Sequence, residues 1–321
     1  MIEKNPKYRI ESKSIDCNGI SIFAKIWIPA KVNFTIPILC VHGLTGNHLS
    51  FARIAQGLVR RGHKVIAIDL RGRGQSDKPE SDYSPSTHSK DIYNLLNELN
   101  IEKVNLIAHS LGAWISIEIA TRYPWLVNRL VLLDGGGVTP IYKKWKNLKM
   151  VRLSLGRIGA KFLDPKDYLQ NVIDSPFVDE MSDDLKNLLL YELEKVGEHW
   201  VCNIPEYVTE SELASLGGAM KNSTLFSRIL LHPIEYVRTM IRNKNLPYHK
   251  ISCPTLIIRG LAPNLSKGDE LIADSSLQAM LQKISKSVAL TVPDKNHYGI
   301  LLDSCPLRDS ALNHFLEDVI G

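Results

Sequence analysis

Ser110 stands where a strand-like run passes directly into a helix-like one. The stretch KVNLIAHSLGAW, residues 103–114, is apolar up to the serine and then takes a helical pattern. A sharp strand-to-helix turn exposes a serine as a nucleophile and needs small residues two positions on either side, where Ala108 and Gly112 stand. The pattern predicts a nucleophilic serine. An incidental serine in an ordinary connection stays open, because the stricter pattern has glycine at both positions.

A second motif, LCVHGLTGN at residues 39–47, ends an earlier apolar run in a histidine and a glycine. A serine nucleophile attacking an acyl group creates an oxyanion, which needs two preorganised N–H donors. We expect these donors to be the backbone N–H groups of Leu44 and Leu111. Gly43 lets the backbone approach closely. We interpret His42 as a brace of this loop rather than as a base.

His297, in VPDKNHYGI, follows the last strand-like run and precedes the final helix-like pattern. A neutral imidazole there can take the Ser110 proton and later deliver it to a leaving group. Another histidine, His88, begins a helix-like stretch and is interpreted as a helix-cap or surface residue. His297 is the predicted general base.

Two aspartates compete for the acid that orients this imidazole. Asp134 ends the run RLVLLD, and a single strand–helix crossover returns the chain beside Ser110. A carboxylate after five apolar residues is desolvated and needs a partner such as an imidazole N–H. Asp269 lies in the later loop RGLAPNLSKGDE, where a polar surface turn is the competing interpretation. We favour Asp134 and keep Asp269 as the alternative.

The elements that must position these residues are short, β-branched apolar runs bounded by turn residues. Such runs are typical of buried parallel strands. Helical patterns alternate with most of them, which predicts an α/β fold, a doubly wound sheet with helices on both faces. From Val138 to Tyr248 the pattern is mostly helical, with no clear strand. The sequence therefore predicts a core domain over residues 1–137 and 249–321 and a helical cap (lid) over 138–248.

The order of these motifs resembles that of the α/β-hydrolase fold superfamily over nearly the whole chain. The matching residues are His42-Gly43, DLRGRGQSDKP, Ala-His-Ser110-Leu-Gly and NHYGI. The resemblance implies an eight-stranded, mostly parallel sheet, a cap inserted after the sixth strand, and a Ser–acid–His triad in that chain order. Many members carry the acid after the seventh strand, where this chain has Pro263 and Asn264. VLLDGGG is similar to the subgroup whose acid follows the sixth strand, which again favours Asp134.

The resemblance implies a serine hydrolase, carboxylesterase-like, that cleaves a carboxylic ester or lactone with no cofactor and no metal. Amide hydrolysis, C–C bond hydrolysis and perhydrolysis are alternatives within the fold, and a catalytically silent relative that binds a ligand or partner is an alternative of another class. Dehalogenase and epoxide hydrolase chemistry is disfavoured, because those resemblances need an aspartate in place of Ser110. The predicted partner is a small molecule with an apolar acyl or alcohol group, suggested by apolar cap residues: Trp145, Phe162, Phe177, Leu216 and Phe226.

The composition of the chain bears on its possible binding partners, metal sites and location. The net charge of +5 is not gathered into one block, which disfavours nucleic-acid binding. The densest basic run, YKKWKNLKMVR from Tyr142, can touch a membrane or an acidic ligand, although a half-solvated helix with snorkelling lysines is the preferred interpretation.

The five cysteines show no metal-ligand spacing. The N-terminus lacks the apolar core of a signal peptide, and no run of about 18 apolar residues is present. We expect a soluble, cytoplasmic protein without an integral membrane segment; the oligomeric state is left open.

Overall fold

The computed structural model describes residues 2–5, 7–140, 143–174, 181–266 and 268–317. The strands are β1 (Ile2–Asn5), β2 (Tyr8–Asp16), β3 (Ser21–Pro29), β4 (Phe34–Val41), β5 (His63–Ile68), β6 (Val104–His109), β7 (Val127–Leu133), β8 (Lys161–Phe162), β9 (Leu193–Val196), β10 (His199–Cys202), β11 (Thr255–Gly260) and β12 (Ser287–Val292).

The α-helices are α1 (Ala52–Arg60), α2 (Pro85–Glu98), α3 (Leu111–Arg122), α4 (Lys144–Ser154), α5 (Pro165–Ile173), α6 (Asp183–Tyr191), α7 (Glu206–Ser215), α8 (Asn222–Leu231), α9 (Pro233–Lys244), α10 (Asp274–Lys283), α11 (Gly299–Leu302) and α12 (Pro306–Glu317). Short 3-10 turns at His48–Phe51 and Tyr248–Lys250 precede α1 and β11.

One large sheet organises the molecule, in the order β1-β2-β3-β5-β4-β6-β7-β11-β12. Along this order, the neighbouring strands β5-β4-β6-β7-β11-β12 pair in parallel. The neighbouring strands β1-β2-β3-β5 pair antiparallel. The predicted eight-stranded, mostly parallel sheet is confirmed as β2–β7 with β11 and β12. β1 adds an antiparallel strand at the edge that the sequence did not predict.

Both faces of the central strands are buried, which is why they are apolar throughout. In β4, Leu39 and Val41 belong to the core cluster that contains residues of α2, α3 and α10. Ile38 and Cys40 point the other way, into a second cluster with α1, α12 and residues of the segment after β7. Successive side chains of a strand alternate between faces, so a continuous apolar run serves two cores at once.

Residues 138–248 are called the β7–β11 segment below. Their described part contains six helices, α4 to α9, and also a small antiparallel sheet in the order β8-β10-β9. The prediction that this segment has no strand is wrong. α6 ends at Tyr191, and the next residue, Glu192, is buried in an ion pair with Arg157. Gly197, with a φ of 62°, then turns the chain between β9 and β10. The helical pattern of the sequence continued past both features.

The division into core and cap domains stays a prediction. Among the apolar residues expected in the cap, Leu216 lines the large cavity described below, Phe162 packs on Tyr168, and Phe226 is exposed. Phe177 and the Trp145 side chain lie outside the described part of the structure. The basic run forms α4, which is half-buried as preferred: Met150 is buried and Lys149 is exposed.

Candidate active site

Ser110 occupies a strained turn between β6 and α3. Its φ of 55° and ψ of −118° lie in a region that non-glycine residues rarely adopt. Its N–H donates to the Leu133 carbonyl at 3.1 Å. The close approach expected of Gly112 is present, because a Cβ there would lie 2.2 Å from the Val41 carbonyl oxygen. The local backbone therefore holds the serine where the sequence predicted a sharp turn.

Gly135 packs directly on the backbone of this turn, a contact that the sequence did not reveal. A Cβ on it would lie 2.4 Å from the Ser110 carbonyl oxygen and 2.7 Å from its Cα. Both atoms are main-chain atoms of a strained residue and cannot move aside. The absence of a side chain at Gly135 therefore lets the end of β7 lie against the serine.

Gly135→Ala is therefore expected to destabilise the protein by about 3 kcal/mol, the upper range for overpacking in a closed core. Gly137→Ala is the matched control, because a Cβ there meets its nearest atom at 3.4 Å, an ordinary contact. Urea unfolding midpoints measure both changes. Equal stability of the two variants would show that the Gly135 contact is not restrictive.

Ser110, His297 and Asp134 form one hydrogen-bonded chain. His297 Nε2 lies 3.1 Å from Ser110 Oγ, and His297 Nδ1 lies 2.8 Å from Asp134 Oδ2. The other carboxylate oxygen of Asp134 accepts the Gly260 N–H at 3.2 Å. Asp134 has a φ of 43° and is buried, as its place after an apolar run implied. The structure thus brings together the favoured nucleophile, base and acid.

Asp269 does not contact His297. Its carboxylate accepts the N–H groups of Asn264, Leu265 and Ser266 at 2.9, 2.6 and 2.8 Å, closing its own loop. Burial raises the pKa of Asp269, but these backbone hydrogen bonds outweigh it and hold the pKa below its usual value. Asn264 Oδ1 in turn accepts the His297 N–H at 3.0 Å. The link between Asp269 and His297 is therefore indirect and passes through Asn264 of the same loop.

His109, which the sequence analysis did not single out, stacks on His297 with ring centroids 4.5 Å apart. Its Nε2 lies 2.9 Å from the His297 carbonyl oxygen, so that nitrogen carries the proton. Burial, followed by the charge of His297, holds the pKa of His109 well below its usual value. His109 stays neutral beside the catalytic candidate. Its position directly before Ser110 was the signal that could have identified it.

His42 braces the loop after β4, as predicted. Its Nε2 accepts the Leu70 N–H at 3.0 Å, and its Nδ1 donates to the Gly43 carbonyl at 2.8 Å. Burial lowers the pKa of His42 to about 4, so the ring is neutral at physiological pH. Within the described residues, the backbone N–H groups of Leu44 and Leu111 have no acceptor, and both residues line the same cavity as Ser110.

Arg73 forms hydrogen bonds with the carbonyl of Leu44. The guanidinium donates to this carbonyl through Nε at 3.0 Å and Nη2 at 2.6 Å. Nη2 also lies 2.5 Å from Glu212 Oε2 on α7, and His88 Nε2 lies 3.1 Å from Glu212 Oε1. All three side chains are buried. The interpretation of His88 as a cap or surface residue is wrong, because it faces a carboxylate supplied by the β7–β11 segment.

The neighbouring carbonyl of Thr45 is held by a second buried arginine. Arg157 Nη2 donates to it at 3.3 Å, while Arg157 Nε lies 2.6 Å from Glu192 Oε1. Burial lowers the pKa of Arg157, but the Glu192 carboxylate outweighs it and raises the pKa well above its usual value. Two buried arginines therefore tie the loop at residues 43–46 to the β7–β11 segment: Arg157, which belongs to the segment, and Arg73, which pairs with Glu212 of the segment.

A cavity of about 740 Å³ lies over Ser110, between the sheet edge and the β7–β11 segment. Its walls on the segment side are mainly aliphatic: Leu148, Val151, Leu188, Leu213, Leu216 and Leu225. Asn147 interrupts them. Asn147 is 7% exposed, and within the described part of the chain neither the oxygen nor the nitrogen of its carboxamide has a hydrogen-bond partner. A donor and an acceptor are thus left unpaired at the wall of an apolar cavity.

Asn147→Leu is expected to raise the free energy of unfolding by about 1 kcal/mol, because it replaces two unsatisfied buried polar atoms by an apolar group of similar size. Asn171→Leu provides the control, since Asn171 lines the same cavity but is exposed. Urea denaturation of both variants and of wild type measures the change in the free energy of unfolding. A loss of stability in Asn147→Leu alone would mean that the carboxamide is already satisfied.

Acid is expected to weaken the fold through three buried histidines. Burial lowers the pKa of His42 and of His63 to about 4 and holds that of His109 well below its usual value. The unfolded chain binds protons near pH 6.5 and the folded chain does not, so stability is full above that pH and falls toward pH 4. Each histidine contributes a slope of about 1.4 kcal/mol per pH unit.

His63→Phe isolates one of these contributions. The His63 ring stacks on Phe34 at 4.0 Å, a contact that phenylalanine preserves. Urea unfolding from pH 7 to pH 5 is expected to show a shallower loss of stability in this variant than in wild type. An identical slope in both proteins contradicts the assignment.

The comparisons with known proteins agree with this fold. The model of the alpha/beta hydrolase fold family matches residues 36–172, from β4 into α5. The crystal structure of E-2-(acetamidomethylene)succinate hydrolase superposes with a TM-score of 0.72 and 21% identity, covering 96% of this chain and 100% of that one. At this identity the likeness concerns the fold. The chain has the α/β-hydrolase fold, and its residues 36–172 match the model of that fold family, as the resemblance implied.

Two hydrolases are among the proteins whose sequences are similar to a short region of this chain. The sn-1-specific diacylglycerol lipase ABHD11 of Danio rerio is 41% identical over 100 residues, 30% of this chain and 31% of that protein. The 2-(acetamidomethylene)succinate hydrolase of Mesorhizobium japonicum is 39% identical over 97 residues, 30% of this chain and 34% of that protein. The match spans about a third of the length of these relatives, so their activities are not carried over as findings.

Proposed function

We propose that the protein is a serine hydrolase that cleaves a carboxylic ester or lactone through an acyl-enzyme on Ser110. The observation that carries the proposal is the chain from Asp134 through His297 to Ser110, with heavy-atom distances of 2.8 and 3.1 Å. Nucleophile, base and orienting acid are each within hydrogen-bond reach, which is the geometry that acyl transfer requires.

In the first half-reaction, Ser110 Oγ attacks the substrate carbonyl and its proton passes to His297 Nε2. The tetrahedral intermediate collapses, the C–O bond to the leaving group breaks, and Nε2 returns the proton to the departing alkoxide. Water then attacks the acyl-enzyme and gives its proton to Nε2, and Ser110 recovers it as the acid leaves. Asp134 stabilises the imidazolium at both stages, and the neutral His109 ring adds no repelling charge.

The oxyanion is assigned to the backbone N–H groups of Leu44 and Leu111. Both lack other acceptors in the described structure, and Leu111 begins α3, whose dipole favours negative charge. Arg73 holds the Leu44 carbonyl, which lies in the peptide plane next to the one that carries the Leu44 N–H. Restraining this carbonyl limits the rotation of the adjoining plane and so of the Leu44 N–H. Arg73 is therefore a positioning residue for the oxyanion loop.

We assign the β7–β11 segment as the cap that shapes the substrate pocket. Its leucine-rich wall favours an apolar acyl or alcohol group. The cavity of about 740 Å³ is of the size that encloses drug-sized ligands. Asn147 offers a hydrogen bond to one polar group of such a substrate.

A panel of p-nitrophenyl esters of increasing acyl length, with matched lactones and anilides, tests the proposal. We expect turnover of esters that rises with acyl length and is abolished in Ser110→Ala. Turnover confined to anilides would replace esterase by amidase. A well-folded wild-type protein that turns over none of these compounds contradicts the proposed chemistry.

A further inference from the structure

Helices α8 and α9 pack together as a hairpin and expose an unusual number of large apolar side chains. Six of them are at least half exposed, between 53% and 69%: Phe226, Leu230, Leu231, Ile234, Val237 and Ile241. These six residues are called the α8–α9 face. No side chain of α9 is buried, so this helix is not held by packing of its apolar side in the core. Contiguous apolar surface of this kind marks a site of interaction.

The spacing of the apolar residues on α9 defines one side of the helix. Ile234, Val237 and Ile241 follow one another at i, i+3 and i+7, the period of a helix stripe. Arg238 lies four residues after Ile234 and three before Ile241, so its charge borders the stripe. Tyr236 and Asn243 lie on another side and line the large cavity. The hairpin is thus a wall with the cavity on one side and solvent on the other.

The hairpin of α8 and α9 carries an excess of positive charge. Residues 221–244 contain five lysines or arginines and a single carboxylate, Glu235, in a chain whose net charge is +5. The basic helix α4 continues this surface, because Lys149 and Leu153 line a shallow cavity together with Asn222 at the start of α8. Leu153 is 46% exposed. An apolar stripe bordered by cations matches the boundary between the headgroups and acyl chains of an anionic bilayer.

A second copy of the chain fits this surface less well. A two-fold dimer places the same patch of both copies face to face, which here would oppose two sets of cations. An anionic lipid surface accepts the same apolar side chains and pairs with the charges. No helix in the described residues is long and apolar enough to cross a membrane, so the fitting arrangement is a helix pair lying in the interface.

We propose that the α8–α9 face docks the protein on anionic membranes, and that the substrate is an acyl ester held in the bilayer. The cavity lies directly behind the hairpin, so an acyl chain leaving the bilayer has a short apolar route to Ser110. The identity of the substrate rests on the proposed esterase chemistry, whereas the docking itself does not.

Sedimentation with vesicles of phosphatidylcholine and phosphatidylglycerol in a three-to-one ratio tests docking. Wild type and Ser110→Ala are expected to bind alike, and binding is expected to weaken with salt and on pure phosphatidylcholine. The triple variant Leu230→Ser, Leu231→Ser, Ile234→Ser is expected to bind about tenfold more weakly, because binding scales with buried apolar area. Lys221→Gln with Arg238→Gln is expected to weaken binding about fivefold per charge at low salt.

A matched control replaces three apolar residues of similar exposure elsewhere on the surface, Val32, Leu163 and Val288, by serine. This control is expected to bind as wild type does. Equal binding of both triple variants, or no wild-type binding to anionic vesicles at low salt, overturns the proposal. A vesicle-free wild-type dimer that the α8–α9 triple variant abolishes, seen by sedimentation velocity, overturns it in favour of self-association.

Hydrolysis separates this inference from the proposed function. We expect the α8–α9 triple variant to lose activity on a fluorogenic long-chain acylglycerol embedded in the anionic vesicles, while its turnover of soluble p-nitrophenyl acetate is unchanged. Vesicle binding without any esterase activity contradicts the catalytic proposal and leaves docking intact. Esterase activity on soluble and vesicle-bound esters that is equal in wild type and the triple variant contradicts the assigned substrate.

Discussion

Asp134→Asn is expected to lower kcat for p-nitrophenyl butyrate by about 10⁴-fold with little change in KM. Asparagine preserves the shape of the side chain, but it cannot stabilise the imidazolium, and it favours the wrong tautomer of His297. Because the Asp134 carboxylate also accepts the Gly260 N–H, the amide oxygen can keep that bond and the fold survives. Steady-state kinetics together with a urea unfolding curve measure both effects.

Asp269→Asn is the matched control for this prediction. Asp269 accepts three N–H groups of its own loop and has no contact with the imidazole of His297. We expect it to reduce stability and to change kcat by a factor far smaller than Asp134→Asn does. If Asp269→Asn is crippled while Asp134→Asn stays near wild type, the acid has been assigned to the wrong residue.

Glu212→Leu is expected to destabilise the protein by about 3–5 kcal/mol. The substitution leaves the Arg73 guanidinium buried without a compensating charge, and breaking one side of a buried ion pair is costly for this reason. The double variant Arg73→Met, Glu212→Leu removes both charges and is expected to recover most of that stability. The Leu44 carbonyl then has no anchor, and kcat is expected to fall by about 10²-fold, the scale of losing one oxyanion donor.

The pair Arg71 and Asp91 provides a comparison. Both side chains are buried. Arg71 lies in the same loop after β5 as Arg73, but its pairing with Asp91 ties that loop to α2 and makes no contact with Leu44. Arg71→Met with Asp91→Leu is expected to alter stability and to leave kcat close to wild type. A comparable loss of kcat in both double variants would mean that neither ion pair acts specifically on the oxyanion loop.

Much of the architecture was predictable because its causes are local in the sequence. Strands buried on both faces must be continuous apolar runs, so β4 to β7 and β11 could be recognised one by one. Ser110, Asp134 and His297 follow such runs, and the carboxyl ends of parallel strands meet at one edge of the sheet. That rule predicted the constellation that the structure brings together; the catalytic roles of these residues remain predictions.

Contacts between distant residues were not predictable in the same way. Arg73 and Glu212 are 139 positions apart, and neither has a local pattern that names the other. Glu192 lies between α6 and β9 and pairs with Arg157, 35 positions earlier, and the hairpin that follows was not predicted. The choice between Asp134 and Asp269 also depended on three-dimensional detail, because both follow neighbouring strands. The Asp134 carboxylate meets His297 Nδ1, whereas that of Asp269 accepts N–H groups of its own loop.

Fluorophosphonate labelling asks whether Ser110 is an activated nucleophile. We predict one covalent adduct on the folded wild-type protein, located on the peptide that contains Ser110. Labelling is expected to be absent in Ser110→Ala and slowed by orders of magnitude in His297→Ala, because Ser110 relies on the imidazole for activation. A folded wild-type protein that forms no adduct, or forms it on another residue, would contradict the assignment of Ser110 as the nucleophile.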